Sequence, residues 1–326
     1  MSKLLTTAAI LTAIGTGAFA DCGTVRIAEM NWGSAELMAN VDKLILQHGY
    51  GCNAELIPGA TMTTFTAMNE KGDPHVAPEL WVNTVREPLF GAIEEGRMQA
   101  VNTGPITELA EGWYVTPAFV EKYPELDTIV KILERPDLFP YSEDSSKGAF
   151  MGCPAGWGCQ LANVNLFTAF DMEAKGWVLV DPGSGAGLDM AIAKAANRNE
   201  NWLGFYWAPA GMVGKHDMRR IEWGVPFAGR DNWDNCIVKP DCLDPQPTAY
   251  TNSEVNTVIT TDLEGVAVDY FATRTWPGPL MNNMLAWMND EQATGEDAAY
   301  EFLESYTDIW HSWVSEDAIV KIEAAL

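Results

Sequence analysis

Residues 24–57, TVRIAEMNWGSAELMANVDKLILQHGYGCNAELI, decide the fold class. Val25 and Ile27 alternate with polar neighbours, which predicts a strand from Thr24 to Glu29. Ser34 then stands as a helix cap, and Leu37, Met38, Val41, Leu44 and Ile45 recur on one helical face. Gly49 and Gly51 stop that helix, and Ala54 to Ile57 returns as a second strand. Strand, helix and strand in so short a run mark an α/β protein with a mostly parallel sheet, covered on both faces.

The same style continues outward. Met62, Phe65 and Met68 predict a short helix, and Val76 to Val82 a third strand. Helices are expected over Thr128 to Leu133, Gln160 to Phe170 and Leu188 to Ala196, with strands over Ala149 to Met151, Gly176 to Val180 and Leu203 to Trp207. Gly224 to Thr248 is rich in Pro, Gly, Asn and Asp and reads as a long irregular connection. The C-terminal segment is helical over 279–288, 298–310 and 315–325. A chain of 326 residues is long enough for two lobes. The late helical return suggests a discontinuous first lobe (21–112 and 217–326) around a second (113–216), with the ligand crevice between them.

Acidic residues number 45 against 20 basic ones, for a formal charge of −25. Such a surface repels nucleic-acid phosphates and anionic lipid and favours a small cation as partner. The N-terminus has the form of a signal peptide: Lys3, an apolar stretch from Leu4 to Ile14, and an A-x-A site at Ala18-Phe19-Ala20. Residues 1–20 are therefore expected to be removed after Ala20, leaving a soluble periplasmic protein. No other stretch reaches the ~18 apolar residues of a membrane span, so no membrane insertion is expected. Six cysteines in an exported chain suggest disulfides, and proximity favours Cys22–Cys52, Cys153–Cys159 and Cys236–Cys242. A metal site is the weaker account, because the histidines are scattered and zinc prefers closer cysteine spacing.

No G-x-S-x-G elbow, H-E-x-x-H or Walker loop is present, so no catalytic set, cofactor or metal is expected. Asp181 to Leu188 imitates a dinucleotide loop but misses the glycine spacing, and is better explained as a tight strand-to-helix turn. Tryptophan is the unusual residue, at 13 copies. Trp287, Trp310 and Trp313 fall in helical periodicity and belong to core packing. Trp32, Trp81 and Trp207 instead follow or end predicted strands, and Trp157 sits in Gly152-Cys153-Pro154-Ala155-Gly156-Trp157-Gly158-Cys159. Rings converging on one crevice would box a cation that has no N–H to donate, each face contributing about 0.5–2 kcal/mol. Backbone N–H groups of Gly158 and Cys159 at a helix start would suit a carboxylate. Together these describe a site for an onium zwitterion.

On these residues the chain resembles the periplasmic glycine betaine/proline betaine/choline-binding proteins of ABC importers, over essentially its whole length after residue 20. The loop Gly152 to Cys159 is similar to the family's disulfide-closed G-W-G-C loop. The resemblance implies that Trp157 is a cage wall and that the Gly158 and Cys159 amides bind the ligand carboxylate. Leu80-Trp81-Val82-Asn83 and Trp207-Ala208-Pro209 resemble the W-x-P segments of two further walls, Trp81 and Trp207; Asn83 stands where that pattern has proline. A variant box in the family would use Trp32 and Trp113 or Tyr114. The fold implied is a two-lobed, type II Venus flytrap with a hinge, and the partners implied are a permease and its ATPase, with the binding protein a monomer.

The expected function is capture of a betaine-like onium zwitterion: glycine betaine, dimethylsulfoniopropionate or proline betaine. Choline lacks the carboxylate the amides would hold and ranks below. An exported enzyme acting on quaternary amines or sulfonium compounds is a further alternative. A binder of amino acids or polyamines would need Asp or Glu in the pocket in place of bare rings.

Overall fold

Strand β1 (Thr24–Met30) pairs in parallel with β2 (Asn53–Gly59) along its whole length, Thr24 opposite Asn53 and Met30 opposite Gly59. On its other side it meets β3 (Val76–Trp81), also in parallel. The chain then makes β4 (Met98–Asn102), β5 (Ala110–Val115), β6 (Gly148–Met151), β7 (Trp177–Val180), β8 (Leu203–Ala208), β9 (Arg219–Arg220) and β10 (Val255–Thr260). These form two five-stranded sheets, ordered β2-β1-β3-β10-β4 and β7-β6-β8-β5-β9. The computed structural model describes residues 22–326; the leader expected over 1–20, its cleavage after Ala20, and Asp21 lie outside the described residues.

The architecture is the two-lobed α/β fold expected, and each sheet is mixed by a single opposed strand. Four strands of each sheet run the same way and one runs against them: β10 is antiparallel to its neighbours β3 and β4, and β5 to its neighbours β8 and β9. The physical reason is the crossing between lobes: β5 is the first strand after the chain leaves the first sheet, and β10 is the strand on which it returns. The lobe limits move accordingly. The second sheet already holds Ala110, and Arg219 and Arg220 still pair with Val115 and Tyr114 in it. Trp223, Trp233 and Tyr250 then pack on one another and on Trp113 and Phe205, so the return expected at 217 falls some thirty residues later, just before β10 at Val255.

Leu37, Met38, Val41, Leu44 and Ile45 are buried, as the helical stripe predicts. Their helix runs Gly33–Leu44 and continues as a π-helical turn over Ile45–Gly49. Its N-cap is Trp32 and not Ser34; the Ser34 hydroxyl lies in the first turn and donates to Glu79 instead. One core surrounds Val25, Ile27, Val41, Phe271, Trp276 and Phe302 of the first lobe. A second runs from Trp113, Phe150 and Trp177 of the second lobe across the cleft to Trp32 and Leu80. Trp310 and Trp313 are buried and Trp287 half-buried. Disulfides join Cys22–Cys52, Cys153–Cys159 and Cys236–Cys242. Among the described residues, no helix is long and apolar enough to cross a membrane.

Candidate functional site

Parallel strands deliver their C-terminal ends, and the loops after them, to one rim of a sheet. Trp32 follows β1, Trp81 ends β3, and Trp207 lies near the end of β8. Trp157 is the N-cap of the Gly158–Ala169 helix, which the Cys153–Cys159 bridge ties back to the loop after β6. The rims of the two sheets face each other, and all four indoles line one narrow recess with Gly158 and Cys159. Thr61, Asn83, Thr84, Glu111 and Phe205 complete its wall.

The rings meet edge to face: Trp32 and Trp157 lie 5.4 Å apart at 71°, and Trp157 and Trp207 5.2 Å apart at 79°. Three of the four N–H groups, those of Trp32, Trp81 and Trp157, point away to fixed acceptors, a geometry that leaves their faces and edges for the recess. Trp157 Nε1 donates to Asn31 Oδ1 at 2.8 Å, across the two lobes. Trp32 Nε1 and Trp81 Nε1 both donate to Glu79 Oε1, each at 2.8 Å. Trp207 Nε1 is buried and has no hydrogen-bond partner among the described residues.

Trp113 and Tyr114 do not join them. Side chains two apart on a strand share a face, so Trp113 points the same way as Glu111 but one pleat farther from the recess. There it is fully buried against Phe150 and Trp223, and its Nε1 donates to Asn163 Oδ1 at 2.7 Å under the Gly158–Ala169 helix. Tyr114 faces the other side of the sheet, buried beside Tyr206. These two are core residues.

The residue of this strand that does reach the recess is Glu111, which the sequence reading missed. Its carboxyl accepts from the Asn83 amide and, at 3.5 Å, from the Tyr250 hydroxyl. Burial pushes its pKa up to about 7, against the pull of these donors, so near neutral pH it holds a proton part of the time. Asn83 also accepts from Trp233 Nε1 through its backbone carbonyl at 3.0 Å. This first-lobe residue therefore grips the second lobe twice, and proline in its place would have no amide to give Glu111.

Gly158 is dictated by close approach. A Cβ there would fall 1.8 Å from Thr84 Oγ1, so the Thr84 side chain stands directly over the first turn of the helix. The Thr84 hydroxyl thus stands at the helix start where a ligand carboxylate was expected. Gly185 is similarly close to the Trp157 ring, at 3.1 Å from a would-be Cβ. The loop before it is the tight turn expected, with Ser184 Oγ accepting from Gly187 N at 3.0 Å. Among the described residues, no group of three or more His, Cys, Asp or Glu is placed to hold a metal ion.

Residues 23–305 match the family described as the substrate-binding domain of an ABC-type glycine betaine transport system. The chain belongs to that family. It is one of transport substrate-binding proteins and not of enzymes, and its members bind solute on behalf of an ABC transporter. A comparison with curated protein sequences finds no match. Solved structures share the fold across low identity. The glycine betaine/L-proline-binding protein ProX of Borrelia burgdorferi is 18% identical, with 92% of this chain and 99% of that one covered and a TM-score of 0.70. A choline-binding protein of an ABC transporter, solved with choline, is 16% identical over 93% and 98% of the two chains, with a TM-score of 0.70. Lactococcal OpuAC, closed on glycine betaine, is 16% identical over 90% and 100%, with a TM-score of 0.66.

Proposed function

We propose that this protein captures a small, fully methylated onium compound bearing one oxygen function, in a cage of Trp32, Trp81, Trp157 and Trp207, and delivers it to an ABC permease. The observation that carries the reading is the convergence of four indoles from both lobes on one recess. Ring faces attract a cation that has no N–H to satisfy, whereas a primary ammonium needs several acceptors. Glu111 is the recess's carboxyl, and at a pKa of about 7 it can meet the ligand's oxygen in either state. Protonated, it donates to an oxyanion; ionised, it accepts from a hydroxyl.

The betaine-like zwitterions read from the sequence fit this description, with their carboxylate on the Gly158 and Cys159 amides once Thr84 moves aside. Thr84 and Glu111 together favour a second reading with a smaller oxygen function: choline, or an amine N-oxide. Export to the periplasm, cleavage after Ala20, a permease with its ATPase as partners and a monomeric state complete the proposal. Titration calorimetry with glycine betaine, dimethylsulfoniopropionate, proline betaine, choline and trimethylamine N-oxide tests it. At least one is expected to bind at micromolar concentration, and silence from all five at millimolar concentration rejects the reading. Trp157→Ala should abolish whatever binding is seen while leaving the far-ultraviolet circular dichroism unchanged. Tightest binding by a carboxylate-bearing ligand selects the zwitterion, and by choline or the N-oxide the second reading.

A further inference from the structure

Glu79 lies behind the cage and touches none of the space a ligand would fill, yet one of its oxygens holds two of the four rings. It is fully buried on β3, two residues before Trp81 and so on the same face. Its Oε1 accepts from Trp32 Nε1 and Trp81 Nε1 at 2.8 Å and from Ser34 Oγ at 2.9 Å. Its Oε2 accepts from nothing. Three donors on a single buried oxygen are a design for an acceptor carrying charge, since hydrogen bonds to an ionised group are shorter and stronger than neutral ones.

The charged surroundings leave that carboxylate the excess. Arg274, fully buried at the end of the Val266–Thr273 helix, lowers the Glu79 pKa by its charge, but its Nε is 2.8 Å from Asp42 Oδ1, a buried carboxyl that the Tyr270 hydroxyl also serves. One cation thus stands between two buried acids. The other elements packed on β3 bring no second cation to Glu79. On β1, Arg26 pairs with Asp73, and Glu29 is taken by Asn40. The helix Gly33–Leu44 brings Ser34 to Glu79, while its Lys43 pairs with Glu296; β10 carries only neutral side chains. The exposed Glu70 and Lys71 end the helix Thr61–Lys71. Across the recess stands Glu111.

We propose that Glu79 is the positioning residue of the cage: its ionised carboxylate fixes the angle of Trp32 and Trp81 and makes their faces more attractive to a cation. An indole whose N–H donates to an anion has a more electron-rich ring, and a negative charge behind a ring adds directly to the field a cation meets at the front. Protonating Glu79 weakens both effects and loosens its hold on the two rings. Burial raises its pKa to about 7, so the device operates within the ordinary pH range. A cation in the cage favours the ionised form, and binding therefore releases a proton below that pH. The inference rests on the cage reading of the recess but has a readout that needs no ligand.

That readout is indole fluorescence of the free protein against pH, in wild type, Glu79→Gln and Glu111→Gln. A transition near pH 7 should persist in Glu111→Gln and disappear in Glu79→Gln; persistence in Glu79→Gln overturns the proposal. Ser34→Ala, a milder change, removes one donor to the anion and should move the transition to higher pH, and no movement counts against it. With ligand, choline is compared with 3,3-dimethylbutan-1-ol, its uncharged isostere. Glu79→Gln should weaken choline about ten-fold and the isostere less than about two-fold. Equal losses for both would reduce Glu79 to a structural support. If wild type binds neither compound, or any of the five in the panel above, the cage reading fails, and the ligand-free transition alone decides whether Glu79 holds the two rings as an anion.

Discussion

Gly158 carries more of the function than its size suggests. It is a point of close approach between the lobes, with Thr84 standing over the helix start. A methyl group at that position must push Thr84 away, and core-like packing does not yield by such an amount without moving the backbone. Gly158→Ala is expected to weaken ligand binding by about ten-fold or more while the protein stays folded, because only lobe approach is blocked. Adding Thr84→Gly should restore much of the loss, a coupling that calorimetry on the two single variants and the double variant would reveal. Gly158 and the four tryptophans were legible in the sequence, since they flank strand ends and a cysteine-closed loop. Thr84 and Glu111 were not. Nothing in the composition of β5 distinguishes a pocket carboxyl from a surface one, and Trp113, two residues along the same face, carried the more conspicuous signal and pointed into the core.

Among the elements, the Gly33–Leu44 and Val266–Thr273 helices are joined by an ion pair with no solvent on either side, Asp42 with Arg274. Two such charges are costly to bury, and the pair holds because each is matched. Removing one partner leaves the other stranded: Arg274→Met should cost about 3–5 kcal/mol by urea denaturation, and Arg274→Met with Asp42→Leu should recover most of it. The same scale explains which elements could be read in advance. Helices with a clear apolar stripe and strands beside glycine were recognised within a few residues. The helices Arg86–Glu94 and Val266–Thr273 and the strands β4, β5 and β10 passed unrecognised. β10 is buried at every position and so shows no alternation, leaving periodicity nothing to report.

For the whole molecule, Glu79 and Glu111 make stability fall as the pH rises, whereas the charge of Glu79 makes cation binding rise. Burial raises both from an ordinary 4.5 to about 7, so between those values the folded protein holds protons that the unfolded chain gives up. Their contribution to stability is complete below about pH 4.5 and is lost as the pH rises through about 7. The ligand-free protein should therefore melt at a higher temperature at pH 5.5 than at pH 8, and Glu79→Gln with Glu111→Gln should flatten that difference in a differential scanning experiment. Cation binding runs the other way, strengthening with pH over the same window. Calorimetry at pH 6.5 in buffers of different ionisation enthalpy should register net proton release.

The placement of β10 has a consequence for how such a chain acquires its shape. It lies between β3 and β4, so β4 touches the first sheet only through a strand that comes after the whole of the second lobe. A chain emerging N-terminus first presents β1, β2 and β3 early but has no partner for β4 until residue 260 has appeared. The second lobe, continuous in sequence, is free to complete itself meanwhile. Nascent chains halted before residue 255 should accordingly be protease-resistant over the second lobe and cut throughout the first, and release of the remainder through Ile322 should convert them to the resistant whole.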